Sequence, residues 1–98
     1  MKEPITVTTL VENSVHARGL RAEHGLSFHL QVGSRSLLFD TGQSNLLLHN
    51  APKLRINLAD TDAIVLSHGH NDHTGGLDAA RATAPKARLL LHPAALPA

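Results

Sequence analysis

The 98-residue chain has no cysteine, no tryptophan and no tyrosine. Without cysteine there are no disulfides and no thiolate metal sites, so any metal chemistry must rest on histidine and carboxylate. Phe28 and Phe39 are the sole aromatic residues of the Phe/Trp/Tyr set, which leaves little for base stacking. Charge of one sign is also lacking: nine Lys and Arg stand against eight Asp and Glu, a formal net charge of +1. That balance argues against a nucleic-acid module built on a basic face. Long apolar runs are missing too, and Leu46-Leu47-Leu48 is far too short to span a bilayer. Residues 5–9 alternate instead of forming the continuous apolar stretch of an export signal. A soluble, cytoplasmic protein is expected, with no nucleic-acid and no membrane partner. What is abundant is histidine, with eight residues.

Apolar residues make up 42% of the chain, enough for one small domain with a modest core. Ile5, Val7, Thr9 and Val11 recur with a period of two and are mostly β-branched, which predicts a strand over 5–11. Leu26, Phe28, Leu30 and Val32 predict a second over 26–32. Gly33-Ser34 is a turn signal before a third over 36–39, so these two form an antiparallel hairpin. Residues 13–23 read as a connecting loop. Ser44 is placed to cap a helix over about 45–50, limited by Pro52, with Leu54, Ile56 and Leu58 packing irregularly after it. The run Ala63-Ile64-Val65-Leu66 fits a strand buried on both faces. A His/Gly loop over 67–76, a helix over 77–84 stopped by Pro85, and a strand over 87–91 complete a βαβ unit. The fold class is α/β, or α+β layered. In such folds ligands gather at the carboxyl end of the strands.

The loop after the buried strand reads Ser67-His68-Gly69-His70-Asn71-Asp72-His73-Thr74-Gly75-Gly76-Leu77. Three imidazoles and a carboxylate fall within six residues. In extended backbone His68 and His70 project to the same side. Asp72 and His73 follow where the chain turns towards a helix, so they can converge on the same cavity from another angle. Neutral imidazole and carboxylate suit Zn²⁺, and also Fe or Mn.

His68-x-His70-x-Asp72-His73, preceded by Ile64-Val65-Leu66-Ser67 and followed by Thr74-Gly75-Gly76-Leu77, resembles the signature of the metallo-β-lactamase superfamily. Leu38-Phe39-Asp40-Thr41-Gly42 is similar to that superfamily's upstream Asp-Thr-Gly element. Val11-Glu12-Asn13-Ser14, Ala22-Glu23-His24-Gly25-Leu26-Ser27 and Phe39-Asp40-Thr41-Gly42-Gln43-Ser44 resemble the branch related to dihydropterin–ribofuranosylaminobenzene phosphate synthases. The resemblance implies an αββα sandwich holding two metal ions. It assigns His68 and His70 to the first metal, and Asp72 and His73 to the second, with Asp72 also the catalytic carboxylate. Asp40 would orient the ligands or their loop from behind. A bridging hydroxide would attack a small, anionic or ester-like substrate.

Members of the superfamily are longer and draw a further His, a bridging Asp and a last His from downstream. After His73 this chain offers His92 and Asp78. His92 lies in Leu91-His92-Pro93, which resembles the branch's strand-end His-Pro and not the later ligand. Residues 1–98 are therefore expected to be the N-terminal half of such a sandwich, inactive alone. Its sheet is expected to expose an apolar face that calls for a complementary C-terminal half or self-association. Three readings follow: a hydrolase or synthase of this family, a non-enzymatic metal-binding or interaction fragment, and a nucleic-acid-processing member, which the balanced charge disfavours.

Other polar residues read as structural. His24 follows Glu23 in a loop and reads as a hydrogen-bonded loop histidine. His16, His29 and His49 lack converging partners. Asp60 and Asp62 suit an Asx-type turn, and Asp78 suits the first turn of a helix. Arg18 and Arg21 read as solvated. Ser44 lacks the Gly-x-Ser-x-Gly setting of a nucleophile.

Overall fold

The period-two segments do become strands. The computed structural model describes residues 4–12, 14, 19–67 and 74–91. Strands β1 (Ile5–Val11), β2 (Ser27–Val32) and β3 (Arg35–Phe39) precede helix α1 (Leu46–Lys53) and a 3-10 turn (Leu58–Asp60). Strand β4 (Ala63–Leu66), helix α2 (Leu77–Thr83) and strand β5 (Arg88–Leu91) follow. The five strands form one sheet in the order β1-β2-β3-β4-β5. The first three are antiparallel, whereas β3-β4 and β4-β5 are parallel. Strand β4, helix α2 and strand β5 thus form the expected βαβ unit.

Register decides which side chains share a face. Thr8, His29, Leu38, Ile64 and Leu89 lie side by side on one face. Leu38 and Ile64 are each 1% exposed, and they cluster with Leu47 and Ala51 of α1 and Ala80 of α2. Both helices therefore cover this face. The β1–β2 register shifts between Thr9 and Val11. Such a bulge re-aims consecutive side chains, and here Leu10 and Val11 are both buried.

The opposite face carries Ile5 and Val7, then Phe28, Leu30 and Val32, then Leu37 and Phe39, then Val65 and Leu90. None of these joins the buried cluster. Ile5 is 63% exposed, Val7 58% and Leu90 47%. The apolar face expected from the sequence is therefore present among the described residues. Strand β5 is a sheet edge, and its residues alternate between exposed and half-buried.

The helices differ in detail from the sequence expectation. Helix α1 runs past Pro52 to Lys53. Pro52 sits one residue from its end, so the helix forgoes a single N–H bond, that to the Leu48 carbonyl. The stretch after α1 holds an unexpected 3-10 turn, nucleated by the Asn57 side chain accepting from the Ala59 N–H at 3.1 Å. Among the described residues no helix is long and apolar enough to cross a membrane.

Candidate metal centre

Strands β3 and β4 run parallel and end together, so Asp40 and Ser67 emerge side by side. Asp40 is fully buried and left-handed, with φ of 57°, a region Asp tolerates better than most residues. Its backbone N–H donates to the Val65 carbonyl at 2.8 Å, and its own carbonyl accepts from the Ser27 hydroxyl at 2.7 Å. Its carboxylate accepts from the Ser67 N–H at 2.7 Å and from the Ser67 hydroxyl at 2.6 Å. The sequence places Asp40 behind the ligands as a brace. The structure shows it gripping Ser67, the residue immediately before His68.

The other root of the histidine motif is Gly76. Its N–H donates to the Gly42 carbonyl at 3.2 Å. A Cβ added here would collide with the carbonyl oxygens of Thr41 and Ser44, so this close approach requires glycine. Residues 40–44 therefore hold both ends of the segment that carries His68, His70, Asp72 and His73. Those four residues lie outside the described residues, as do His16, Arg18 and His92. Among the described residues no three His, Asp or Glu side chains gather as a metal site.

Two residues that sequence reasoning passed over hold the surroundings. Glu23 accepts from the Gln43 N–H at 2.9 Å, the Ser44 N–H at 3.1 Å and the Ser44 hydroxyl at 2.6 Å. Buried Asn50 accepts from the Arg21 N–H at 3.0 Å and donates to the carbonyls of Leu10 at 2.7 Å and Arg21 at 2.8 Å. It thus ties the loop before β2 to α1 and β1. Pairings across 20 to 40 residues leave no local pattern. The one available signal was a polar residue on the covered side of an amphipathic helix.

The remaining candidates take structural places. Ser44 accepts from the Leu46 N–H at 3.2 Å, which is helix-capping work although Asn45 is the capping position. His49 Nε2 lies 2.9 Å from the Gly19 carbonyl. His24 is exposed and has an interaction partner. Asp62 does not close a local turn: its carboxylate accepts from the Ser36 N–H at 2.8 Å, fastening β3 to the start of β4. Asp78 stands in the first turn of α2, as expected. His29 is buried on the helix-covered face, and burial lowers its pKa below 6.5.

With this geometry in place, comparison with known proteins is direct. The profile of the metallo-beta-lactamase superfamily matches residues 20–96. The chain belongs to this superfamily, a family of hydrolases that are generally metal-dependent. An uncharacterized protein of Methanocaldococcus jannaschii, MJ0448, is 37% identical over 71 residues, covering 72% of this chain and 27% of that protein. The same organism's 7,8-dihydropterin-6-methyl-4-(beta-D-ribofuranosyl)-aminobenzene-5'-phosphate synthase is 46% identical over 61 residues, covering 57% of this chain and 21% of the synthase. Among solved structures, the Rm3 metallo-beta-lactamase superposes with a TM-score of 0.65 at 26% identity, covering 76% of this chain and 28% of that one. A Cronobacter sakazakii metallo-beta-lactamase gives 0.60 at 28% identity, covering 69% and 27%. The chain spans about a quarter of the length of these relatives.

Proposed function

We propose that the chain is the ligand-bearing N-terminal half of a cytoplasmic metallo-β-lactamase-fold unit. By itself it is a metal-binding fragment without turnover, and it needs a complementary half. The observation that carries this reading is the apolar sheet face, with Ile5, Val7 and Leu90 exposed. Nine apolar side chains in register across five strands make a patch of about 400 Å², taking strands about 4.8 Å apart and about 17 Å long. That is the scale of the largest apolar patches on monomers, which are often functional. Relatives roughly three times as long support a polypeptide occupant, laid sheet to sheet.

The donor set fits a divalent metal by its chemistry: three imidazoles and one carboxylate on His68, His70, Asp72 and His73. Two ions shared among four ligands leave each one short of the three protein ligands usual for catalytic zinc. Zn²⁺ is the favoured metal, with Mn or Fe as alternatives. When bound, such an ion makes water acidic near neutral pH and polarises a substrate oxygen. The chain's own part is to present the ligands from a segment rooted at Ser67 and Gly76. The synthase likeness favours a second reading, in which the completed unit acts on related pterin or aminobenzene phosphate chemistry. In either reading the substrate is small and anionic or ester-like.

Equilibrium dialysis with Zn²⁺ tests the metal part. The wild-type chain should retain zinc and a His68→Ala/His70→Ala variant should lose it, and equal retention overturns the assignment. Retention should weaken below about pH 6, as ligating imidazoles become protonated. Sedimentation tests the interface: Val7→Lys and Leu90→Lys should abolish association with itself or with the complementary half. A monomer that hydrolyses phosphodiesters or lactones unaided, and loses that activity on Asp72→Ala, would sink the fragment reading.

A further inference from the structure

We propose that Glu23 is a positioning residue for the metal-ligand segment 68–73. This inference rests on the reading above that the segment binds metal. Residues 40–44 link Glu23 to that segment. Asp40 grips Ser67 with both carboxylate oxygens. Gly42 and the carbonyls of Thr41 and Ser44 cradle Gly76. One five-residue stretch therefore sets the separation of the two roots, nine residues apart in sequence.

The far end of that stretch is held by the Gly42 N–H, which donates to the Leu26 carbonyl at 2.9 Å, and beyond it by Glu23. Gly42 is left-handed with φ of 75°, and Gln43, Ser44 and Asn45 are exposed. The Glu23 carboxylate takes up three donors here, from two consecutive backbone N–H groups and one hydroxyl. It also presses on Gly42, where an added Cβ would lie 2.8 Å from Oε2 and 3.1 Å from the Val11 methyls. Glu23 is itself anchored, because its N–H donates to the Glu12 carbonyl at 3.3 Å, just past the end of β1. The path from β1 through Glu23 and residues 42–44 to Gly76 is continuous. Removing the carboxylate frees the Gly42 carbonyl to turn away from Gly76, so the motif loses its fixed second root. A residue that orients ligands from behind in this way governs affinity.

The test uses the 98-residue chain, Co²⁺ as the probe and the ligand-field absorbance of bound cobalt as the readout, with chelator competition for affinity. Glu23→Ala should bind Co²⁺ about 10- to 100-fold more weakly than wild type, with a changed cobalt spectrum. Glu23→Gln keeps an acceptor for the two N–H groups and should restore most of the affinity. Amide exchange without metal should show Gly76 opening faster in Glu23→Ala, with the β2–β3 ladder still protected. If Glu23→Ala does not fold, Ser44→Ala carries the same test with a smaller weakening. Folded Glu23→Ala with wild-type cobalt affinity and spectrum overturns the role of Glu23 and leaves the metal reading standing. A wild-type chain that binds no cobalt overturns both.

Discussion

The two faces of the sheet are built from similar residues and have different fates. On one, Leu38 and Ile64 lie beneath two helices and are lost from solvent. On the other, Val7 and Leu90 stand in register with them one residue away and remain about half exposed. Apolar content therefore does not explain burial here. Cover does, and cover comes from what the connections β3-α1-β4 and β4-α2-β5 bring back over the sheet. The helices of both parallel crossovers fall on one side, which leaves the second face to be covered from elsewhere.

The sharpest way to break this comparison is a matched pair of truncations. Leu38→Ala should cost about 2–5 kcal/mol, since it opens a cavity in packed surroundings. Leu90→Ala should stay within about 0.5 kcal/mol, as surface changes do. Urea denaturation of both variants at low protein concentration measures the gap. Equal costs would mean that the second face is covered after all.

Asp40→Ala should come next, at about 2–3 kcal/mol, because it strands the Ser67 N–H without its carboxylate partner. Asp40→Asn keeps an acceptor and should cost less. Thermal unfolding without metal, compared with zinc affinity, separates stability from ligand placement. Loss of stability with unchanged affinity would make Asp40 a turn residue alone.

His29 sharpens the comparison from the covered side. Burial lowers its pKa below 6.5 in the folded chain, so the unfolded chain binds the proton more readily. Stability should be level above about pH 6.5 and should fall as the pH drops below it, with a slope bounded by one proton. His29→Leu should flatten that part of the profile. No difference between the two profiles would place the imidazole in contact with water.

The smallest effect expected is a gain. Thr61 Oγ1 is buried and has no hydrogen-bond partner among the described residues. Thr61→Val keeps the shape and removes the unpaired hydroxyl, so it should stabilise by about 1 kcal/mol. A loss on that change would show that the hydroxyl has a partner.

How much of this was legible beforehand follows from range. Alternation over 5–11 and 26–32 and the run at 63–66 gave the strands to within a residue or two, because period is a local property. The histidine motif was legible in the same way, since its four donors are adjacent in sequence. The bulge at Leu10 was hidden because it depends on the partner strand. Neither the grip of Asp40 on Ser67, 27 residues away, nor that of Glu23 on Ser44, 21 residues away, leaves a periodic trace. The sequence pointed to Asp40 through a family resemblance, while Glu23 stood inside a quoted motif without a role. Asp62 was misplaced for the same reason: an Asx turn is a local reading, and its partner Ser36 is 26 residues back.

One property of the sheet bears on how the chain is made. Strand order across the sheet is the same as strand order along the chain. Each strand from β2 to β5 pairs with the one synthesised just before it, so no later strand has to be threaded between two already joined. A domain emerging from a ribosome at about 5–20 residues per second can therefore extend this sheet at a single growing edge. The β1-β2-β3 meander, with its local pairings, is the part that closes fastest, and it offers β3 as the template on which the parallel strands β4 and β5 are then laid down.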